Sequence, residues 1–378
     1  MIKISEPYFK SSLLKEIKNV IKSGWISQGP MVSKFEKNFS QKFNLSNCLA
    51  VNSCTSGLEL IGKTLDLKND DEVIIPSFTW ISSANFIENL KAKPIFVDID
   101  INTFNLDVNF IKKKLTKKTK AVVGVHLFGH AFDFEELQKV IDDKEILIIE
   151  DAACALGTKY KNKFVGNLGY ASSFSFHPRK SITTGEGGLI STTNKALSIK
   201  INSLRNHGSL ISEETRNNRK KNTFIHPDFV LPGHNYRMTD IQGILGLHQM
   251  QFVDQILEKR KKIAHYYIKH LKNIDWLILP DVKKYTDHSW QSFVIRINKK
   301  LIKLKASKIM QILESKGIAT RFGTHAIHTL SYYKNKYNLK QKDYPNSYSA
   351  MTETISLPIH YKLTKSQLNY IVSELKNI

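Results

Sequence analysis

Lys180 stands between an apolar run and a glycine-rich turn, in the segment 174–188 (FSFHPRKSITTGEGG). An amine in that position can attack a carbonyl carbon and form a Schiff base. To do so it must lose its charge at moderate pH, which burial among apolar neighbours encourages. Ser175, five residues earlier at the end of the apolar run, can present a hydroxyl to a phosphate. Gly185, Gly187 and Gly188 allow a tight turn and a close approach of backbone to a ligand. A lysine beside glycines is ordinarily a surface feature, so the weight rests on what accompanies it. Asp151 closes the run Ile146-Leu-Ile-Ile-Glu-Asp. A carboxylate there falls at the carboxyl edge of a sheet, where open α/β folds bind ligands. It can supply the anion that a pyridoxal phosphate (PLP) ring needs at its pyridinium nitrogen, or cap a helix starting at Ala152.

Three further segments fit the same cofactor. Asn52-Ser-Cys-Thr-Ser-Gly57 is a polar turn opening a helix at Leu58. Helix N-termini of this kind bind anions, so Thr55 and Ser56 are candidates for the phosphate, although such a turn alone is only a cap. Trp80, just past the run Ile75-Pro-Ser-Phe-Thr, can stack on a flat ring or simply pack in a core. Asn235 and Arg237, in Gly233-His-Asn-Tyr-Arg-Met-Thr-Asp240, can donate to phosphate or carboxylate oxygens.

These residues need a scaffold, and the pattern supplies one. Short apolar runs at Val73–Ile75, Pro94–Val97, Ala121–Val125, Ile146–Ile149, Ser172–Phe176 and Leu189–Ser191 read as strands buried on both faces. Helical patterns such as Ser56–Leu65 and Ile81–Leu90 separate them. The expected fold class is therefore α/β, with a mostly parallel sheet flanked by helices. Beyond it the spacing predicts a long helix from Ile241 to about Leu271, a strand in Ser289–Ile297, a helix over Lys303–Lys316 and a closing helix over Lys365–Lys376. The chain accordingly divides into a large domain, 1–248, and a smaller C-terminal α+β domain, 249–378.

Composition narrows the class. At 378 residues, 41% hydrophobic and 24% charged, the chain has the make-up of a globular protein. No apolar run approaches the ~20 residues needed to span a bilayer, so no membrane partner is expected. The opening residues read as mature protein, not as a signal peptide. Cys48, Cys54 and Cys154 form no CxxC pair, so neither a disulfide framework nor a metal site is expected, and the cytoplasm is the expected compartment. The formal charge is +22. Its densest patch, Arg216–Lys221 (RNNRKK), has no interleaved aromatics and no nucleic-acid motif around it. The charge reads as solvated surface or as steering of an anionic substrate, with no nucleic-acid partner.

Taken together, the segments resemble the DegT/StrS family of sugar aminotransferases, within the aspartate-aminotransferase-like fold (fold type I). The resemblance runs almost end to end: GWISQGP at 24–30, PSFTW at 76–80, KPIFVDID at 93–100, VHLFG at 125–129, EDAACALG at 150–157, SFHPRKSITTGEGG at 175–188, RNHG at 205–208, NYRMTDIQ at 235–242 and SLPIH at 356–360. It implies that Lys180 forms the internal aldimine and then moves the proton between substrate and cofactor. Asp151 would pair with the pyridinium nitrogen, Trp80 would stack on the ring, and Thr55, Ser56 and Ser175 would hold the phosphate. Asn235 would reach the phosphate from the partner subunit of a homodimer, and Arg237 would lie near the substrate. Arg321, His325 and His328 sit where the family's small domain lines the substrate entrance; each can equally be an ordinary packed or surface residue. Many members carry Gln where this chain has Cys154, near the cofactor's ring hydroxyl, which leaves Cys154 as a cofactor neighbour or a small filler.

The resemblance further implies amino transfer from an amino acid, with glutamate the expected donor, to the keto group of a nucleotide-linked deoxy sugar for a surface polysaccharide or glycoconjugate. A small phosphorylated ketone is the alternative acceptor. More distant alternatives are a PLP-dependent sugar dehydrase, whose family type has histidine in place of the lysine, and a non-catalytic nucleic-acid-binding regulator.

Overall fold

The computed structural model describes residues 1–142, 145–211, 226 and 228–378; the basic run Arg216–Lys221 lies outside the described residues. Every apolar run named above becomes a strand of one seven-stranded sheet. Its members are β1 (Leu49–Val51), β2 (Glu72–Pro76), β3 (Lys93–Val97), β4 (Thr119–Val125), β5 (Leu147–Asp151), β6 (Ala171–Ser175) and β7 (Gly188–Ser191). The spatial order is β1-β7-β6-β5-β4-β2-β3, and β7 alone runs against its neighbours. Carboxyl ends of the parallel strands therefore share one edge.

Helices cover both faces. The period of two sends Ile75 and Val123 into a core with Leu58, Ile61, Phe86 and Ile87. It sends Ile74 and Val122 the other way, against Phe132 and Leu137. Covering helices include α1 (Ser12–Ser23), α2 (Pro30–Phe43), α3 (Cys54–Lys63), α4 (Ser82–Asn89), α5 (Phe134–Ile141) and α6 (Lys195–Leu204). The stretch expected as one helix after Ile241 is two, α7 (Asp240–Met250) and α8 (Val253–Leu271). Tertiary contacts break it. Phe252 turns inward against the Tyr8 ring at 5.9 Å, and Gln249 bonds Thr183 N at 2.7 Å and Tyr8 O at 3.0 Å. Helix propensity is too weak to resist such anchoring.

Past α8, an antiparallel sheet of β8 (Leu277–Ile278), β9 (Phe293–Ile297) and β10 (Thr354–Leu357) packs with α9 (Ala306–Ser315) and α11 (Lys365–Lys376) around a core of its own, which includes Tyr267, Phe293, Leu313 and Ile371. A helix between α9 and α11, α10 (Pro345–Glu353), instead lends Ala350 to the core under the large sheet.

Three buried carboxylates hold this frame. Asp240 accepts from the amides of Gly29, Met31 and Val32 at 2.9–3.0 Å, which satisfies the open N-terminus of α2. Asp98 does the same for α10 through Asn346 N at 2.9 Å and Ser347 N at 2.7 Å. Glu150, fully buried, accepts from Gly166 N, Leu168 N and Gly169 N at 2.8–3.0 Å and bonds His126 Nε2 at 3.0 Å. Glu150→Gln replaces one acceptor oxygen with an NH2 aimed at backbone donors. We expect a loss of about 3 kcal/mol, read as a lower urea midpoint with the far-ultraviolet dichroism retained.

Candidate active site

Glu150 and Asp151 are consecutive on β5, so they point to opposite faces. Glu150 turns to the 166–169 loop, and Asp151 turns to the carboxyl edge, where it is 3% exposed. Two donors fix its carboxylate: Ser83 Oγ at 2.6 Å and Ala153 N at 3.1 Å. Ser83 comes from the first turn of α4, and sequence reasoning missed it, because nothing local marks a helix serine as the partner of a residue 68 positions away. Among the described residues no cation forms an ion pair with Asp151. A carboxylate offers about four acceptor sites, so beyond these two bonds the side of Asp151 that faces the cavity can take a further donor or a cation.

Lys180 lies on the loop joining β6 to β7. Bonds across its base hold this loop shut: Phe176 N to Gly187 O at 2.9 Å, Thr184 N to Phe176 O at 3.0 Å and Lys180 N to His177 O at 2.8 Å. The amine Nζ reaches into the cavity and meets Cys154 Sγ at 3.1 Å. Gly188 must be glycine, since a Cβ there would come within 2.5 Å of Cys54 N. That closeness seats β7 against the first turn of α3. In that turn Ser53 is the cap, accepting Ser56 N at 3.1 Å, and Thr55 faces the cavity.

One cavity of about 1500 Å³ joins these groups, lined by Thr55, Trp80, Asp151, Cys154, Ser175 and Lys180. Arg321 and His325 line it as well. A two-residue ribbon pairs His325 with Thr79 and brings its ring to 5.5 Å from Trp80, which is 51% exposed. Its ionic lining is lopsided. Among the described residues that line it, Arg179, Lys180, Lys299, Lys303, Lys305 and Arg321 stand against two carboxylates, Asp151 and Glu186, and Lys299 reaches beyond the lining to Glu353 Oε1 at 3.0 Å. Burial, and then the Arg321 charge, lowers the pKa of Arg179. Burial and the Arg179 charge lower that of His177.

The other candidates are not brought into this cavity. Ser56 donates its hydroxyl to Asn52 Oδ1 at 2.6 Å, inside the turn. His328 is buried behind the wall, with Nδ1 2.7 Å from Ser77 Oγ and its ring stacked on Tyr344 at 4.7 Å. Burial holds its pKa down at about 4, as suits a neutral packing residue. Arg237 bonds Asn206 Oδ1 at 2.9 Å, and Asn235 is exposed.

A family model described as the DegT/DnrJ/EryC1/StrS aminotransferase family matches residues 7–376. The chain belongs to this family. A relative, the spore coat polysaccharide biosynthesis protein SpsC of Bacillus subtilis, is 33% identical over 375 residues, covering 99% of this chain and 96% of the relative. Among solved structures, the putative sugar aminotransferase Spr1654 of Streptococcus pneumoniae in its PMP form superposes with a TM-score of 0.91 at 28% identity, covering 100% of this chain and 98% of that one. It has also been solved in a PLP form. PseC of Helicobacter pylori, an aminotransferase involved in the biosynthesis of pseudoaminic acid, gives a TM-score of 0.91 at 27% identity, covering 100% and 98%. The protein is thus a PLP-dependent aminotransferase of fold type I. Its cavity suits that cofactor by its own lining: an amine, a buried carboxylate with no cationic partner among the described residues, and a capped helix terminus all open into it.

Proposed function

We propose that the aminotransferase moves an amino group from glutamate to the keto group of a nucleotide-linked deoxy sugar, in the cytoplasm, for a surface polysaccharide or glycoconjugate. The observation that carries this reading is the cavity: beside the groups given to the cofactor, Arg179, Lys303, Lys305 and Arg321 line it with the carboxylate of Glu186, in about 1500 Å³. Small-molecule sites are usually about 300–1,000 Å³, so a small phosphorylated ketone would leave much of this one empty. A sugar bearing a nucleoside diphosphate brings both the bulk and the negative charge. Membership of an aminotransferase family, with relatives described by sugar and polysaccharide work, supports the same reading.

In this reading each side chain has a task. PLP, when bound, supplies an electron sink at the carbon that exchanges its amino group. Lys180 Nζ takes and returns the proton at that carbon. Asp151, held by Ser83 and Ala153, keeps negative charge at the pyridinium nitrogen. Trp80 covers the ring face, and Thr55 and Ser175 bind the phosphate. Arg321 and His325 orient the acceptor. Asn235 and Arg237, which lie outside their own cavity, serve the site of a second subunit in a homodimer. The exposed apolar residues Leu210, Phe229 and Val230 support that arrangement, because Ser209 pairs with Phe229 and Asn206 with Asn235 on the same stretch.

Purified protein incubated with glutamate and a nucleotide-linked keto-deoxy sugar should release 2-oxoglutarate and amino sugar in equal amounts. Turnover of a phosphorylated ketone, with none of any nucleotide-linked keto sugar, would overturn the acceptor assignment.

A further inference from the structure

Cys154 sits three residues beyond Asp151, in a turn fixed from both sides. Ala152 N donates to Ser173 O at 2.9 Å, Ala153 N to Asp151 Oδ1 at 3.1 Å, and Ala155 N to Ala152 O at 2.9 Å. Lys180 comes from a different loop that is equally tied down. Two rigid turns thus bring Sγ and Nζ to 3.1 Å, at a point where both line the cavity. The other two thiols are placed differently. Cys48 is buried, and burial, reinforced by Glu36, pushes its pKa up. Cys54 is buried too, donates to Ser173 O at 3.5 Å, and has its pKa raised by burial and then by Asp151. Cys154 is the one half-buried cysteine, and it spends its sulfur on the amine.

We propose that Cys154 is a positioning residue for Lys180: its sulfur accepts a hydrogen bond from Nζ and holds the amine extended into the cavity, ready to capture the cofactor carbonyl. This rests on the role assigned to Lys180 above. A flexible four-carbon side chain populates many rotamers, and fixing it beforehand speeds a step that needs one rotamer. A hydrogen bond of this kind contributes roughly 0.5–1.5 kcal/mol. Its removal should therefore slow capture roughly two- to tenfold.

The same placement makes Cys154 the thiol that a small electrophile reaches, with the cofactor as its shield. With iodoacetamide the sulfur displaces iodide, an S–C bond forms, the C–I bond breaks, and the thiol proton passes to the buffer.

Both consequences can be read on the full-length protein stripped of PLP. After PLP is added, the visible absorbance of the bound cofactor should rise roughly two- to tenfold more slowly in Cys154→Ala than in wild type. Cys154→Ser, whose oxygen also accepts, should recover most of the rate. Peptide mass spectrometry should find iodoacetamide on Cys154 in the stripped protein and little there once PLP is loaded. A Cys154→Ala time course that superposes on wild type overturns the proposal. So does alkylation of Cys154 at the same rate with and without PLP. Wild type that never acquires the absorbance would instead overturn the cofactor role of Lys180, so the two failures are distinct.

Discussion

Lys180→Ala should take up PLP without the covalent link and lose roughly four orders of magnitude in turnover number, since the variant removes both the nucleophile and the proton carrier. The structure explains why no neighbour can substitute. Lys299 is drawn to Glu353 Oε1 at 3.0 Å. Lys303 and Lys305 stand on the segment before α9, and they are exposed. Lys180 alone combines an amine with a loop pinned at Phe176, His177 and Thr184. Lys180→Arg should fail almost as completely. A guanidinium keeps the charge but stays protonated, and it can neither attack a carbonyl nor accept the proton. Borohydride treatment followed by intact-protein mass spectrometry supplies the measurement. Wild type should gain the mass of the reduced cofactor, and both variants should gain nothing. A variant that traps cofactor at another residue while keeping a tenth of the activity would remove Lys180 from the centre of the site.

The scaffold was legible because its signals are local. Continuous apolar runs such as Ile74-Ile75 and Val122-Val123 must be strands covered on both faces, and the helical periods between them force parallel crossovers. Once the sheet exists, Asp151 and Ser175 fall at the same edge without further information, because both end parallel strands. What escaped the sequence depends on long-range contact. The break at Phe252 is set by Tyr8, the orientation of Asp151 by Ser83, and the burial of His328 by Ser77 and Tyr344. The segments that carried the resemblance also mix two jobs that spacing cannot separate. Asp98 in KPIFVDID, Glu150 in EDAACALG and Asp240 in NYRMTDIQ bind backbone amides and hold the frame. Asp151, next to Glu150, faces the cavity. Strand alternation distinguishes that pair, but only after it is known which face is open.

Asp151→Asn should separate fold from function cleanly. Asparagine has the same shape, so its carbonyl oxygen can still accept from Ser83 Oγ or Ala153 N, and the turn that carries Cys154 should persist. What disappears is the negative charge. With PLP bound, the ring nitrogen would lose the carboxylate that holds its proton, and the ring would withdraw electrons from the reacting carbon much less well. An electrostatic contact of that kind, removed from a preorganised site, costs roughly 10²–10³-fold in turnover number. Stability should move the opposite way. In the cofactor-free protein Asp151 is 3% exposed with no ion-pair partner among the described residues, and a buried charge without one is a burden on the fold. Neutralising it should leave the melting temperature of stripped protein unchanged or higher, while the rise on adding PLP becomes smaller, because the variant binds the cofactor less tightly. Paired melting curves with and without PLP, beside the turnover number at saturating PLP, test both halves at once. Wild-type turnover in Asp151→Asn would show that the carboxylate only caps the Ala152 turn. A stripped variant that melts much lower would show that the charge had a protein partner after all.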